Sequence, residues 1–272
     1  MANIFNIIRA LEKAGYKAKA EIVEKNGINK TGIKVKVDDK INLIFYPSDY
    51  CMQDNEIVNH IIESLNNNPK DNDIINSFLN MSLPNVKDNL VLCIQPYVNT
   101  NKYITRNYLN LQIYVRLLID KNGTSAKVNK SMINAWEMSE DELFEIAREN
   151  VKNKLTIYPM GMALSMIGEF NNDLESFTYP LVLSTKNYAY GSGALLIKEK
   201  LNDISKVLNC DLYILPSSIH ECLIVPENLV DDVADLKYMV LEVNETEVSE
   251  EDFLSNNVYK YSKDMNLLYL VM

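Results

Sequence analysis

Between residues 16 and 37 the chain spells out a β-hairpin, and no other stretch constrains its fold as much. Tyr16, Ala18, Ala20 and Ile22 alternate with Lys17, Lys19 and Glu21, Asn26-Gly27 supplies a turn, and Ile33, Val35 and Val37 alternate with Lys34 and Lys36. Period-2 alternation predicts half-buried strands, and Asn-Gly between two such runs predicts antiparallel pairing. Before the hairpin, Ile4, Phe5, Ile8 and Leu11 recur at helical spacing and Gly15 ends the run. After it, Asp38-Asp39 turns into a third strand, Ile41 to Tyr46, closed by Pro47. Ile57, Val58, Ile61, Ile62 and Leu65 then stripe a second helix. The expectation is an α-β-β-β-α unit over residues 1–66.

The rest of the chain mixes the same two periodicities. Asn66 to Asn72 reads as a linker and Ile74 to Met81 as a short helix. Leu90 to Val98 and Leu109 to Ile119 predict strands, the second turning at Asp120-Lys121-Asn122-Gly123. Ser139 and Glu142 form a capping-box pattern ahead of Leu143, Phe144, Ile146, Ala147 and Val151, which predicts a helix to about Leu155. Residues 160–170 fit a helix or a strand, and Asn171-Asn172-Asp173 marks a second boundary. Pro180 to Ser184, Asp211 to Leu215 and Glu221 to Val225 predict strands, with helical segments from Gly191-Ser192-Gly193 to Leu208. Leu229, Val233, Leu236 and Val240 line one face of a further helix, and Val258 to Tyr261 with Leu267 to Val271 close a terminal hairpin. The fold class is α+β, with mixed, mainly antiparallel sheets and helices packed on one face. Three segments are expected: 1–66, a middle α+β segment 73–170, and a C-terminal α+β unit 174–272 with an acidic helix.

Charge is unevenly distributed. Residues 201–272 hold 14 acidic and 4 basic residues, whereas residues 1–200 hold 23 of each. The formal net charge of −10 therefore belongs to the last quarter. Between Glu227 and Asp252 ten carboxylates face one cation, Lys237. Such a surface repels nucleic-acid phosphates and favours basic partners, so direct nucleic-acid binding through this region is disfavoured. The expected partner is a basic protein, met by Asp231, Asp232, Asp235, Glu242, Glu245, Glu247, Glu250, Glu251 and Asp252. A solvated helix face is the plainer reading of those residues. No D-x-D-x-D-G calcium loop occurs among them, and no metal or cofactor is expected.

Other residue types narrow the chemistry. The chain has 272 residues, 47% of them hydrophobic, enough for a substantial core. Cys51, Cys93, Cys210 and Cys222 lie far apart with no CxxC pair and read as reduced, mostly buried thiols. The N-terminal residues lack a basic n-region, and no window approaches 18 apolar residues, so a cytoplasmic protein without membrane contact is expected. Only two histidines exist, His60 and His220. His60, beside Ile61 and Ile62, reads as a partly exposed structural residue. Tyr259, Tyr261 and Tyr269 alternate as packing residues of a strand do.

Two clusters resemble catalytic or ligand-binding motifs. Ser217, Ser218, His220 and Glu221 could support hydrolysis if a serine reached the imidazole and a carboxylate oriented it. In an extended segment, Ser218 and His220 would point to one face about 6–7 Å apart, given a rise of ~3.3 Å per residue. That is too far for contact, so a turn whose serines bond the backbone and whose histidine satisfies a buried carbonyl is the competing reading. Gly191-Ser192-Gly193 could open an anion-binding helix, but it lacks the third glycine of a dinucleotide fingerprint and the Lys of a P-loop. Close packing of a helical segment on a sheet explains the glycines more simply.

Several runs together carry a family resemblance. They are Trp136, Ser139-Glu140-Asp141-Glu142-Leu143 and Ala147; Tyr188, Gly191 and Gly193-Ala194-Leu195-Leu196; Asp211-Leu212-Tyr213-Ile214-Leu215-Pro216-Ser217-Ser218-Ile219-His220-Glu221; Val243-Asn244; and Leu254-Ser255 with Val258-Tyr259 and Tyr261. Over residues 130–272 the chain resembles an uncharacterised domain-of-unknown-function family of Gram-positive anaerobic bacteria and their mobile elements. The resemblance implies a bacterial or phage-associated cytosolic protein and no established activity. The functional expectation is a non-enzymatic binding or regulatory protein acting through protein–protein contact, for example by acidic mimicry that inhibits a nucleic-acid-binding host factor. The alternative is a small metal-independent hydrolase using Ser218, His220 and Glu221.

Overall fold

A computed structural model describes residues 2–25, 28–36, 42–67, 83–118, 125–161, 179–185 and 190–271. Its contacts divide the chain into two compact units, Met1–Ser82 and Leu83–Met272. The fold is α+β, and every strand pairing among the described residues is antiparallel.

In the first unit, helix α1 (Ile4–Lys13) is capped by Asn3, whose side chain accepts from the Phe5 and Asn6 amides. Strands β1 (Lys17–Lys25), β2 (Ile28–Lys36) and β3 (Asn42–Phe45) form one sheet in that order, followed by helix α2 (Asp54–Asn67). Ile33 and Val35 of β2 are buried with Ile7 and Leu11 of α1 and Ile57 and Ile61 of α2. The alternation of β1 is buried only at one end. Ala18 packs on this core, whereas Ala20 is exposed and Ile22 is 71% exposed. The core's strand partners stop at the Ala20–Ile33 pair, so nothing in the core reaches Ile22. The turn at Asn26-Gly27, the turn at Asp38-Asp39 and the short helix Ile74 to Met81 lie outside the described residues, as do the turn at 120–123, the segment 162–170 and the boundary at 171–173.

The second unit carries two sheets. After helix α3 (Leu83–Asp88), strands β4 (Leu90–Pro96), β5 (Thr105–Tyr108) and β6 (Leu111–Leu118) pair in the order β4-β6-β5, with β7 (Ser125–Lys127) on the far end of β6. Sequence reading had one strand from Leu109. Leu109 instead takes a left-handed conformation (φ 53°) and turns the chain from β5 into β6. Helices α4 (Lys130–Ala135) and α5 (Glu140–Lys154) follow, and α5 buries Leu143, Phe144, Ala147 and Val151. Ser139 caps α5 by accepting from the Glu142 amide at 3.1 Å. The Glu142 carboxylate bonds Lys87 at 2.9 Å, so the box expected from the sequence is made on the serine side.

Strands β8 (Leu155–Pro159) and β9 (Leu181–Thr185) begin the larger sheet. It continues through β10 (Leu212–Pro216), β11 (Cys222–Pro226), β12 (Tyr259–Ser262) and β13 (Leu267–Leu270) in the order β13-β12-β10-β11-β9-β8. Thus strands on either side of 171–173 share one sheet. Helix α6 (Lys198–Leu208) precedes β10, and α7 (Val233–Thr246) follows β11. A wholly buried 3₁₀ segment, Gly191–Leu196, touches β4, β9, β11 and α5, and so lies between the two sheets. A Cβ on Gly193 would strike the Leu92 carbonyl of β4, and one on Gly191 would strike the His220 carbonyl and Ser184. Only glycine permits that approach. Tyr259 and Tyr261 are fully buried. Leu236 and Val240 of α7 pack on Leu215 and Val258. Leu229, expected on the same helical face, precedes α7 in a separate 3₁₀ turn and is 56% exposed.

Candidate functional site

Loop 217–221 joins β10 to β11 and is not extended: the Ser218 amide donates back to the Glu221 carbonyl at 3.2 Å. The Ser218 hydroxyl accepts from the His220 amide at 3.0 Å. Ser217 Oγ lies 3.5 Å from Glu221 Oε1. The turn is held from three other segments. Ser184 Oγ donates to the His220 carbonyl at 2.9 Å, Ser192 Oγ to the Ile219 carbonyl at 2.5 Å, and the Ile219 amide to the Asp252 carbonyl at 2.8 Å.

Both nitrogens of the His220 ring are engaged. Nδ1 accepts from the Tyr190 amide at 3.1 Å, which places the ring proton on Nε2, 3.2 Å from Asp252 Oδ1. Tyr190 needs the support, because its backbone is left-handed (φ 55°), a conformation that costs a side-chain-bearing residue about 1–2 kcal/mol. Its ring lies 5.5 Å from the imidazole on one side and 4.8 Å from the Arg116 guanidinium on another. Sequence reading gave His220 a buried carbonyl as partner; the partners found are a backbone amide and a carboxylate. Burial pushes the Glu221 carboxyl above its ordinary range, with Ser217 acting the other way. Burial also raises the neighbouring Cys222 thiol to about 12, which makes it inert as a nucleophile.

The acidic residues are spread over α7 and its two flanks. Asp231 precedes the helix, Asp232 is its N-cap, bonding the Ala234 amide at 2.9 Å, and Asp235 sits in the first turn. Carboxylates here favour the positive end of the helix dipole. Glu242 and Glu245 lie toward the other end and Glu247 is the C-cap, with no basic residue in the last turn. Asp231, Asp232, Asp235, Glu242, Glu245, Glu247 and Glu250 are exposed, and Glu251 and Asp252 are half-buried. Asp252 is committed to His220 and Ser249. Among the described residues, no cation pairs with Glu242, Glu245, Glu247 or Glu250. Tyr238, Met239 and Leu241 are exposed on the same helix.

Sequence reasoning missed a polar cluster on the four-stranded sheet. Gln95 is fully buried, donating to Tyr103 at 2.9 Å and accepting from Lys127 at 3.1 Å. Lys127 also bonds the Tyr103 hydroxyl at 3.0 Å and lies over the Tyr103 and Tyr114 rings. Burial pushes Cys93 up to about 12 and Tyr114 well above its ordinary value, so both stay protonated. The available signal was the alternation Gln112, Tyr114, Arg116 within the strand expected from Leu109 to Ile119.

All four cysteines are free; Cys93 and Cys222 are buried, whereas Cys51 is exposed and Cys210 half-buried. His60 stands edge-on to Tyr50 at 5.0 Å. Among the described residues no helix is long and apolar enough to cross a membrane. Nor do three of His, Cys, Asp and Glu gather there to hold a metal ion.

No curated protein and no solved structure matches the chain. The model described as "Family of unknown function (DUF5688)" does match, over residues 3–263. With nearly its whole length covered, the chain belongs to that family.

Proposed function

We propose that this chain is a non-enzymatic binding or regulatory protein whose acidic surface around α7 receives a basic protein partner. One observation carries the reading. Glu242, Glu245 and Glu247 are exposed, unpaired among the described residues, and placed where the helix dipole opposes them. A carboxylate at the wrong helix end costs ~0.3–1 kcal/mol. Solubility alone could be served by carboxylates anywhere on the surface, so folding does not account for these. The exposed Tyr238 and Met239 beside them supply anchors of types enriched at interface cores, and the exposed Leu241 adds apolar area. One use of such a surface is to occupy, as an acidic mimic, the nucleic-acid site of a host factor.

Hydrolysis through Ser218, His220 and Glu221 has less support. A general base needs a free ring nitrogen toward the nucleophile, and here Tyr190 and Asp252 occupy both.

The test is a partner captured from the native cell and measured against the full chain and against Glu242→Lys/Glu245→Lys/Glu247→Lys. Asp232 is left in place because it caps the helix. Association should be steered electrostatically, so the on-rate should fall at least tenfold both in the reversed variant and as the Debye length shrinks from ~10 Å at 0.1 M salt to ~3 Å at 1 M. A salt-independent on-rate that ignores the reversals would overturn the reading.

A further inference from the structure

Helix α5 packs on β4 and β6, and β5 lies beyond them in the order of the sheet. Between the helix and β5 is a cleft of about 590 Å³, within the ~300–1,000 Å³ of small-molecule sites. Its floor is apolar: Leu92 of β4, Ile113 of β6, Phe144 of α5 and Leu196 of the 3₁₀ segment. Leu92, Phe144 and Leu196 are buried, but Ile113 keeps partial exposure.

Two donors of β5 stand over this floor. Side chains alternate along a strand, so Arg106 and Tyr108 share the face of Ile113, about 6–7 Å apart. Both line the cleft. The Tyr108 hydroxyl bonds nothing among the described residues, and burial raises its pKa, so it remains an O–H donor. The Arg106 guanidinium stacks on the Phe144 ring at 4.1 Å and has one carboxylate partner, the exposed Asp141. A surface pair of this kind contributes at most about 1 kcal/mol, so Asp141 can yield its place to a ligand at little cost. Depth decides the sign of the ligand's charge. The guanidiniums of Arg106 and Arg148 are 40% and 26% exposed, whereas the rim carboxylates Asp141 and Glu145 are 94% and 69% exposed. Glu142, the third carboxylate of the lining, is bonded to Lys87. Charges nearer the floor are less screened by water, so an anionic head is favoured over a cationic one. Arg148 is held by Glu199 and Glu149, which leaves Arg106 as the partner of that head.

We infer that this cleft binds a small amphipathic carboxylic acid, its carboxylate held by Arg106 and Tyr108 and its apolar body lying on the floor. A carboxylate fits the fork of a guanidinium bidentately and accepts a further hydrogen bond from a phenol. Neither half of the ligand suffices alone. A small polar anion would leave the floor wet and forgo the ~25 cal/mol per Å² that apolar burial contributes. A neutral apolar molecule would strip water from the Tyr108 hydroxyl and give it no acceptor. No residue of α7 lines the cleft, so the inference stands independently of the acidic surface.

The experiment titrates the full chain with octanoate in one arm and 3-phenylpropionate in the other, with acetate and octylamine as controls for body and charge. Binding is read by calorimetry and from the Ile113 methyl resonances in ¹H–¹³C spectra. At least one of the two acids should bind saturably and shift those resonances; which arm responds tells an aliphatic body from an aromatic one. Acetate and octylamine should bind at least tenfold more weakly. Arg106→Gln should weaken binding at least tenfold, while Lys206→Gln, an exposed cation elsewhere, should leave it unchanged. Tyr108→Phe, which keeps the ring and removes only the hydroxyl, should weaken it about threefold or more. If Arg106→Gln does not fold, Tyr108→Phe decides. No acid-induced shift of the Ile113 resonances, equal binding of acetate or octylamine, or equal binding of the acid by a folded Arg106→Gln or Tyr108→Phe chain overturns the proposal.

Discussion

Loop 217–221 and the outer face of α7 both concentrate polar residues, yet among the described residues one is saturated with partners and the other has almost none. In the loop, the Ser218 hydroxyl, both His220 nitrogens and the carbonyls of Ile219 and His220 are each bonded, and Ser184 and Ser192 exist there to do the bonding. On α7, Glu242, Glu245 and Glu247 are exposed, pair with no cation among the described residues and face an opposing dipole. A serine, a histidine and two carboxylates close together suggest catalysis by residue type alone, and their partner bonds make them a structural knot. A run of carboxylates suggests a mere solvated surface, and the absence of intramolecular partners is what makes it a candidate for an external one. Six substitutions can break or sharpen this contrast.

The largest effect should come from Gly191→Ala. The added Cβ meets the His220 carbonyl and the Cα of Ser184, both backbone atoms of the knot, as well as the Ser184 hydroxyl. A loss of about 3 kcal/mol is expected, at the upper end of overpacking costs. Urea unfolding of the second unit measures it. A cost below about 1 kcal/mol would mean that the 3₁₀ segment slides freely and the knot is looser than it looks.

His220→Ala should cost about 1–3 kcal/mol, because the Tyr190 amide and the Asp252 carboxylate each lose a partner. Partner binding should survive in whatever fraction remains folded. A thermally normal His220→Ala chain that has lost its function would invert the contrast and make the loop the working site. Asp232→Ala comes next, at about 1 kcal/mol for a lost N-cap, while Asp231→Ala should change stability by no more than about 0.5 kcal/mol. Equal losses at the two positions would show that charge, and not the cap bond, holds the start of α7.

How far these features were legible depends on the range over which each is determined. The hairpin of β1 and β2, the Ser139 cap of α5 and the apolar stripe Leu236 and Val240 are set by neighbours a few residues away, so spacing alone reveals them. The exposure of Ile22 was hidden because alternation says which face a residue takes, not whether anything covers that face. Leu109 misled for a related reason: an apolar residue inside an apolar run carries no mark of a left-handed turn. Least legible were the sites. His220 meets Tyr190, 30 residues away, and Asp252, 32 away, and Arg116 meets Lys127 only through strand register. Such meetings follow from tertiary packing, which no local pattern encodes.

A small gain at the other end of α7 has the most informative sign. Near its C-terminal end α7 presents Glu242 and Glu245 to the negative end of the helix dipole, with no basic residue in the last turn to offset them. Replacing Glu245 by Lys exchanges an unfavourable charge for a favourable one, so Glu245→Lys should raise stability by a few tenths to about 1 kcal/mol at low ionic strength. The gain should shrink in 1 M salt, because the site is exposed and the Debye length falls to ~3 Å. Asp232, at the opposite end, should respond with the opposite sign when replaced by Lys, since it loses both the cap bond and the favourable dipole interaction. Paired urea titrations at two salt concentrations measure both. A stabilised Glu245→Lys chain that binds its partner more slowly would show that the carboxylate is kept at the expense of the fold. If Glu245→Lys instead destabilises the protein, the carboxylate has a folding role of its own, and the outer face of α7 loses its distinction from the knot.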